Sequence, residues 1–200
     1  MAEISAFERI LAKTLSNEGG YSDKKSDYGK ETYKGISRRW HPKWTGWDIV
    51  DMVKQADGGL EALKKGDITE VAGNAYQAKL EQLVKQFYKE EFWEKIKGDT
   101  LASLDEDVAY EVFDMQVNSD DGVKVLQETI NSFGGEVVVD NAMGPKTLAA
   151  LRDVLVVKDK FGFLDRFQRY RALHYARLVR EDPKQAVNIV GWVKRALKIG

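Results

Sequence analysis

The stretch SNEGGYSDKKSDYGKETYKGIS, residues 16–37, decides the fold of the N-terminal half. Before it, apolar side chains recur over residues 4–17 at the spacing of an amphipathic helix. Gly19 and Gly20 end this helix, because glycine adopts a positive φ past a helix end at little cost. Glu18 therefore lies at the C-terminal end, where a negative charge is unfavourable by roughly 0.3–1 kcal/mol. A residue that breaks a local rule in this way often belongs to a functional site.

Two acids and one hydroxyl in this stretch have the side chains that glycoside hydrolysis requires. That reaction needs an acid to protonate the leaving oxygen and a second group that attacks the sugar or activates water. Glu18 follows an apolar helix, where burial favours the protonated carboxyl, whereas Asp27 lies in a polar loop that suits an ionised carboxylate. Thr32 supplies a hydroxyl that can orient a water molecule. The same residue types also occur in ordinary solvated turns, so the pattern alone leaves that reading open.

The spacing of these residues resembles the signature of glycoside hydrolase family 108, which includes phage-borne N-acetylmuramidases and proteins once labelled secretion activators. In that family E-G-G-Y is followed by D-P-G-G-x-T-x-x-G-I-T. Here EGGY begins at Glu18, and DYGKETYKGIS begins at Asp27 in the same register. The resemblance implies that Glu18 is the essential acid. The order Glu18, Asp27, Thr32 also resembles the catalytic trio of phage-type lysozymes, with one residue fewer before the threonine.

Three positions depart from the family pattern. Tyr28 replaces the usual proline, Lys30 replaces the second glycine, and Ser37 replaces threonine while keeping the hydroxyl. Lys30 removes a position at which glycine allows a positive φ or a close approach to ligand. These departures keep open an alternative, a non-catalytic peptidoglycan-binding or secretion-accessory protein on the same scaffold. In that alternative Glu18 accepts hydrogen bonds from backbone amides and stays ionised.

Further segments extend the resemblance over nearly the whole chain. FYKEEFW at 87–93 resembles the family's Y-x-x-x-W helix end, and VFDMQVNSD at 112–120 resembles its F-D-x-x-V-N segment. Residues 125–151 resemble the peptidoglycan-binding-like half that usually follows, with L-Q and then D-G-x-x-G-P-x-T, although Asn141 stands where glycine is usual. The resemblance implies that Asn118 lines the cleft and binds an N-acetyl group or the loop that carries Glu18. A plain helix-end role for Asn118 is the alternative.

These features predict a mainly α protein with a lysozyme-like helical fold and a small β-hairpin near the N-terminus, around residues 20–36. Residues 1–100 are expected to form the lysozyme-like catalytic region. Residues 101–200 are expected to form a helical peptidoglycan-binding-like region, packed with the first as one compact unit. Local patterns predict seven or eight helices. Residues 48–65 are expected to form one or two short helices, with Asp48 as N-cap and breaks at Gly58-Gly59 and Gly66. A long helix is expected over 67–97, with a break at Gly73 and an end at Gly98-Asp99. Further helices are expected from Ser103, at 121–133, from Pro145, at 159–179 and at 184–198, with an extended piece at 137–139.

Aromatic side chains crowd into residues 21–47. Tyr21 and Tyr33 lie beside the two acids and are the expected substrate contacts, because aromatic rings cover the C–H faces of sugars well. Trp40, Trp44 and Trp47 fit two readings, the wall of a saccharide groove or the core beneath a loop.

An arginine-rich segment near the C-terminus also fits two readings. It can contact wall phosphates or carboxylates, or it can form a solvated helix face with salt bridges, which is the commoner arrangement. Its members are Arg166, Arg169, Arg171, Arg177 and Arg180.

Composition narrows the function further. The chain has 200 residues, 43% of them hydrophobic and 32% charged, with a net charge of −1, which gives no electrostatic attraction to nucleic acid. It has no cysteine and only two histidines, so we expect neither a thiolate nor a metal site, and no cofactor. No apolar run reaches the ~20 residues that span a bilayer, and no secretory signal is recognisable, so we expect no membrane insertion.

The resemblance to glycoside hydrolase family 108 therefore implies an enzyme that hydrolyses the β-1,4 bond between N-acetylmuramic acid and N-acetylglucosamine in peptidoglycan. We expect a monomer, made in the cytoplasm, that acts on glycan strands at the cell wall or periplasm. Release would depend on a holin-like export partner, as for an endolysin of a phage or prophage. A helical adaptor or regulator is a third possibility, supported by composition alone.

Overall fold

The computed structural model describes residues 4–16, 20–23, 31–157 and 160–197. In this part of the chain the protein is mainly helical, with one small antiparallel sheet near the N-terminus, which confirms the predicted fold class. The chain forms two compact units, Met1–Glu91 and Phe92–Gly200. The expected division at residue 100 falls inside the first helix of the second unit, and the expectation of a single compact body stays a prediction.

The first unit begins with helix α1, Ala6–Leu15. The Ser5 side chain accepts a hydrogen bond from the backbone amide of Glu8, whose carboxylate accepts from the Ser5 amide in return. This capping box fixes the start of the helix. Phe7, Ile10 and Leu11 turn inward and are buried. The described helix ends at Leu15, two residues before the predicted end.

The sheet that follows has three strands, β1 (Tyr21–Asp23), β2 (Glu31–Tyr33) and β3 (Ile36–Ser37), in that order. Lys34 and Gly35 connect β2 to β3, with φ angles of 44° and 79°. Two successive positive φ angles define the tight turn whose twist matches that of antiparallel strands. The predicted hairpin is therefore confirmed and extended by a third strand.

The helices of the first unit follow glycine punctuation. Gly73, with φ of 87°, separates two helices and confirms the predicted break. Asp48 is not an N-cap: it lies in the first turn of its helix, and Thr45 occupies the cap position. The helices are α2 (Gly46–Lys54), α3 (Gly59–Lys65), α4 (Thr69–Ala72) and α5 (Asn74–Tyr88), and a π-helical turn, Lys89–Trp93, continues α5.

The second unit differs from the prediction at its start. Gly98 opens a helix rather than closing one, and a Cβ there would lie 2.1 Å from the Trp93 ring. The next helix begins after Asp105, whose carboxylate accepts from two backbone amides in the first turn, and not at Ser103. The helices are α6 (Gly98–Leu104), α7 (Glu106–Ser119), α8 (Gly122–Ser132), α9 (Pro145–Val157), α10 (Lys160–Glu181) and α11 (Ile189–Leu197), with a 3-10 helix at Pro183–Asn188.

The predicted extended piece at 137–139 is a connection without strand pairing. The Asn131 side chain donates to the carbonyl of Val137 at 2.8 Å and accepts from its amide at 2.9 Å. These two bonds satisfy the backbone groups that a neighbouring strand would otherwise pair. In the described residues no helix has the combination of length and apolar character that crossing a membrane requires.

A buried ion network joins α7 to the two last helices. Asp114 accepts from Arg171 at 2.6 Å and from the Arg195 Nε and Nη2 atoms at 3.0 and 2.7 Å. Asp114 and Arg171 are each only 1% exposed, so Arg171 belongs to the core and not to a solvated arginine face. Arg169, in contrast, forms the exposed pair with Asp165 that the solvated reading expects.

The two arginines determine the pKa of Asp114 in this network. Burial by itself would raise the pKa of Asp114, but the Arg195 hydrogen bond and the two guanidinium charges outweigh it and lower the pKa below its ordinary value. A carboxylate with a depressed folded-state pKa adds stability above its unfolded pKa of about 4, and this stability is lost as the pH falls through the folded value.

We predict that Asp114→Asn lowers the free energy of unfolding at pH 7 by roughly 3–5 kcal/mol, because two guanidinium groups lose their buried partner. The variant should also lose part of the acid sensitivity that the wild type shows below about pH 4. Urea unfolding at pH 7 and pH 3.5 measures both effects. Asp165→Asn, which breaks an exposed pair, is the control and should cost about 0–1 kcal/mol. Equal stability of the two variants would contradict the assigned role of the network.

Candidate functional site

Gly20, the second glycine of EGGY, is the first described residue after Glu18. Glu18 and Asp27 themselves lie outside the described residues. The Gly20 carbonyl accepts from the Lys34 amide at 2.8 Å, which ties the start of β1 to the turn of the sheet. A Cβ at Gly20 would lie 2.4 Å from the Lys64 carbonyl oxygen and 2.5 Å from that of Leu63. Only glycine fits there, so this anchor depends on the second glycine of EGGY.

One face of the sheet presents a row of hydroxyl groups. Thr32 lies directly opposite Ser22 on one neighbouring strand and opposite Ser37 on the other. Directly opposed residues of an antiparallel sheet point to the same face, so the three hydroxyl groups form one line across the strands. Ser37 is buried, whereas Ser22 and Thr32 are partly exposed. The row therefore leads from the surface into the interior.

The opposite face holds a carboxylate that is fully engaged in charge pairing. Glu31 accepts from the Tyr21 hydroxyl at 2.9 Å and from Lys54 Nζ at 2.6 Å, and its other oxygen lies 2.9 Å from Arg38 Nε. The hydrogen bond with Glu31 raises the pKa of Lys54 above its ordinary value. Arg38 also pairs with Asp51 at 2.7 Å. Glu31 thus fastens the sheet to α2.

Tyr21 and Tyr33, the expected substrate contacts, lie on the face of Glu31 and are 7% and 1% exposed. Burial raises the pKa of Tyr33 to about 12, and burial together with the Glu31 hydrogen bond raises that of Tyr21. Side chains this deeply buried offer little surface to a glycan. Their position shows that they support the sheet, and their contact with substrate stays a prediction. Thr32, on the other face, is more accessible.

The three tryptophans separate into different environments. Trp47 belongs to the core, with 4% of its surface exposed, and its Nε1 atom donates to the His41 carbonyl at 2.8 Å. Trp40 is 59% exposed. Trp44 is partly buried and its ring stacks at 6.4 Å from that of Tyr33. The core reading therefore applies to Trp47, and the groove reading fits Trp40 and Trp44.

Asn118 lies in the last turn of α7. Its side-chain amide donates to the Asp114 carbonyl one turn earlier, at 2.5 Å, and Asp120 with φ of 58° forms the C-cap. Asn118 is therefore not the cap residue, and it is partly exposed. Its contact with substrate stays a prediction.

A glutamine organises the loop that carries the D-G-x-x-G-P-x-T-like motif. The buried Gln127 side chain accepts from the amides of Asp140 and Asn141, both at 3.0 Å. It donates to Asp140 Oδ1 at 2.8 Å and to the Ala142 carbonyl at 3.1 Å. Asn141 adopts φ of 61°, the left-handed conformation that asparagine tolerates where glycine is usual. Gln127 and the loop at residues 140–142 are thus joined by four hydrogen bonds, and this arrangement is called the Gln127 clamp.

The two histidines are engaged within their own units. His174 is buried, burial lowers its pKa, and its Nε2 atom lies 3.3 Å from Asp121. His41 meets the Phe87 ring edge to face at 4.6 Å. Over the described ranges no group of three or more histidine or acidic side chains is arranged to hold a metal ion.

Comparison with known proteins places these features in a family. The family model described as Glycosyl hydrolase 108 matches residues 11–119, so the chain belongs to glycosyl hydrolase family 108 and the resemblance of the EGGY segment is confirmed. The model described as Predicted Peptidoglycan domain matches residues 121–197. The two matches together support an activity related to peptidoglycan.

Among solved structures, that of SagA from Brucella abortus is similar over 96% of this chain and 94% of that chain, with a TM-score of 0.56. The two sequences are 22% identical, so the likeness shows a shared fold. A search of curated proteins found no match.

Two features of the site did not emerge from the sequence analysis. Ser22 and Ser37 accompany Thr32 only once the strand register is known, although the alternation of side chains along a strand was a usable signal. The salt bridges of Glu31 with Lys54 and Arg38 are the second feature, and no local sequence pattern indicates them.

We predict that Gly20→Ala destabilises the first unit by about 2 kcal/mol or more, because the added methyl group collides with two fixed carbonyl oxygens of α3. Thermal and urea unfolding measure the loss. Gly191→Ala is the matched control: its Cβ meets nothing within 4 Å in a helix, so we expect unchanged or slightly higher stability. Equal stability of the two variants would refute the close approach at Gly20.

We predict that Gln127→Leu costs about 1–3 kcal/mol, because it removes the hydrogen bonds that the amides of Asp140 and Asn141 donate and the bond that the Asp140 carboxylate accepts from Gln127. Hydrogen exchange of the Asp140 and Asn141 amides should accelerate in the variant. Gln82→Leu, at an exposed position of α5, provides the control and should leave both amides protected. Slow exchange at Asp140 and Asn141 in Gln127→Leu would show that the Gln127 clamp does not hold the loop.

Proposed function

We propose that the protein is an N-acetylmuramidase that hydrolyses the β-1,4 bond between N-acetylmuramic acid and N-acetylglucosamine of peptidoglycan, with Glu18 as the general acid. The observation that carries this proposal is the match of residues 11–119 to a glycosidase family, within which EGGY begins at Glu18. The tight fit at Gly20 supports it, because the segment that follows Glu18 is anchored to both the sheet and α3.

In this mechanism Glu18 protonates the glycosidic oxygen as its bond to the anomeric carbon breaks. Positive charge then develops on the sugar ring, and a carboxylate on the other side stabilises it or activates the water that completes hydrolysis. Asp27 takes this second role, with Thr32 orienting the water. Neither role requires a metal ion or an organic cofactor.

The different environments of the two sheet faces support these roles. Thr32 shares its face with Ser22 and is partly exposed, so its hydroxyl is available to a water molecule or a sugar. Glu31 is adjacent in sequence but lies on the opposite face, where Lys54 and Arg38 hold both its oxygens. Because both oxygens are occupied by these cations, the Glu31 carboxyl is not free to meet a sugar. We therefore assign the acid to Glu18 and not to Glu31.

The second half fits a role in holding the wall. Residues 121–197 match a peptidoglycan domain model, and Gln127 fixes the loop of that domain in one conformation. A glycosidase acting on an insoluble polymer gains effective concentration from a second contact with it. Because peptidoglycan lies outside the cytoplasmic membrane, the proposal places the activity at the cell wall or periplasm.

A non-catalytic wall-binding or secretion-accessory role is the second candidate. The observation that favours it is the replacement of two family-typical residues near Asp27, by Tyr28 and Lys30. In that case Glu18 is an ionised structural residue, and the chain binds peptidoglycan without cutting it.

We predict that purified wild-type protein releases fragments from peptidoglycan sacculi that end in reducing N-acetylmuramic acid. Glu18→Gln should lower the initial rate by about 100-fold or more, because the amide cannot supply the proton. Borohydride reduction followed by mass spectrometry identifies the reduced sugar, and loss of turbidity gives the rate.

Glu61→Gln is the matched control, because Glu61 is an exposed acid of α3 that pairs only with Lys64 at 2.7 Å among the contacts described. It should keep the wild-type rate. Equal rates for the wild type and Glu18→Gln would refute the acid assignment. Sedimentation of both proteins with intact sacculi, without release of fragments, would establish the binding role instead.

A further inference from the structure

A groove of about 450 Å³ opens on the first unit, between the loop that precedes α2 and the C-terminal end of α5. This volume lies within the range of small-molecule binding sites. The described residues that line it come from 40–45 and 83–91, outside the stretch 16–37 that carries Glu18. The groove is therefore separate in sequence from the proposed catalytic residues.

A fixed aromatic surface forms one part of this groove. Trp44 donates from Nε1 to the Leu83 carbonyl at 3.4 Å, and its ring meets Trp47 edge to face at 5.1 Å. Its orientation is thus set before any ligand arrives, which lowers the entropic cost of binding. Trp40 is 59% exposed, and the Arg39 guanidinium carbon lies 5.0 Å from its ring centroid. Exposed rings of this kind cover the C–H faces of pyranoses.

Hydrogen-bonding groups complete the lining. Glu90 and Glu91 come from the π-helical turn that continues α5, and π-turns recur at functional sites. Gln86 donates from Nε2 to the Glu90 carboxylate at 2.8 Å, which orients that acid at the groove. Carboxylate oxygens accept hydrogen bonds from sugar hydroxyl groups, and amides pair with N-acetyl groups.

The lining carries charges of both signs. Glu90 and Glu91 occur together with Lys43, and the Arg39 guanidinium lies at the Trp40 ring. The ligand is therefore selected by the aromatic surface and the hydrogen-bonding groups and not by net charge. A polyhydroxylated ring with an N-acetyl group fits both the aromatic surface and the acids.

We infer that this groove binds an N-acetylglucosamine unit of a β-1,4-linked glycan through residues that lie outside the Glu18 segment in sequence. The site holds the strand through Trp40 and Trp44, with Glu90 and Glu91 accepting from hydroxyl groups. The inference rests on the glycan chemistry of the family and not on Glu18 acting as the acid.

The test uses the full chain, labelled with ¹⁵N and carrying Glu18→Gln, with N-acetylchitohexaose as the probe. The chain has five tryptophans, whose indole N–H signals can be assigned by single substitution to phenylalanine. We expect the Trp40 and Trp44 signals to move in a saturable manner below about 10 mM probe. Mass spectrometry of the probe incubated in parallel with the wild type and with Glu18→Gln reports whether each protein cuts it, so the acid assignment is tested separately from binding in the groove.

The matched variants are Trp40→Ala and Tyr76→Ala. Tyr76 is an aromatic residue of α5 that is 45% exposed and does not line the groove, so its loss should change the dissociation constant by no more than about twofold. Trp40→Ala should weaken binding reported by the Trp44 signal about tenfold or more. Unmoved Trp40 and Trp44 signals, or equal affinity in the two variants, would overturn the inference.

Discussion

The register of the small sheet is the constraint on which the rest of the first unit depends. Thr32 pairs with Ser22 and Ser37, so the hydroxyl groups share one face and Glu31 with Tyr33 takes the other. A shift of the strand pairing by one residue would exchange the two faces. The Glu31 carboxylate would then lie on the face that now carries the three hydroxyl groups. The two-residue turn at Lys34 and Gly35 and the close fit at Gly20 both hold this register.

In the second unit, two buried polar side chains hold the helices and a loop in place. Asp114 binds two arginines from the last two long helices, and Gln127 closes the loop before α9. Both side chains are nearly inaccessible, and both satisfy several partners at once. Buried polar groups of this kind stabilise one arrangement only when all partners are present, which makes the unit sensitive to single substitutions.

Local chemistry made much of the fold predictable from the sequence. The helix before Glu18, the break at Gly73, the helix start at Pro145 and the hairpin all follow from periodicity and glycine or proline punctuation. Contacts between residues far apart in the chain were not predictable. Arg171 is buried because it pairs with Asp114 on another helix.

At the candidate site, too, local sequence patterns were informative and contacts between distant segments were not predictable. The EGGY signature identified the family, and the match over residues 11–119 confirmed it. The burial of Tyr21 and Tyr33, the partners of Glu31 and the groove beside Trp40 all depend on contacts between segments far apart in the chain. Residue types near the acids suggested Tyr21 and Tyr33 as substrate contacts, which stays a prediction, whereas their burial could not be read from the sequence.

The central claim, that the carboxyl of Glu18 carries a proton available for donation, can be measured directly. A ¹³C NMR titration of the glutamate side-chain carboxyls, with the Glu18 signal identified by its absence in Glu18→Gln, follows that proton. The account predicts that Glu18 remains protonated up to about pH 6 or above, as expected of a general acid in an apolar setting. Ionisation at or below about pH 4, the range of an ordinary or hydrogen-bonded glutamate, would contradict it.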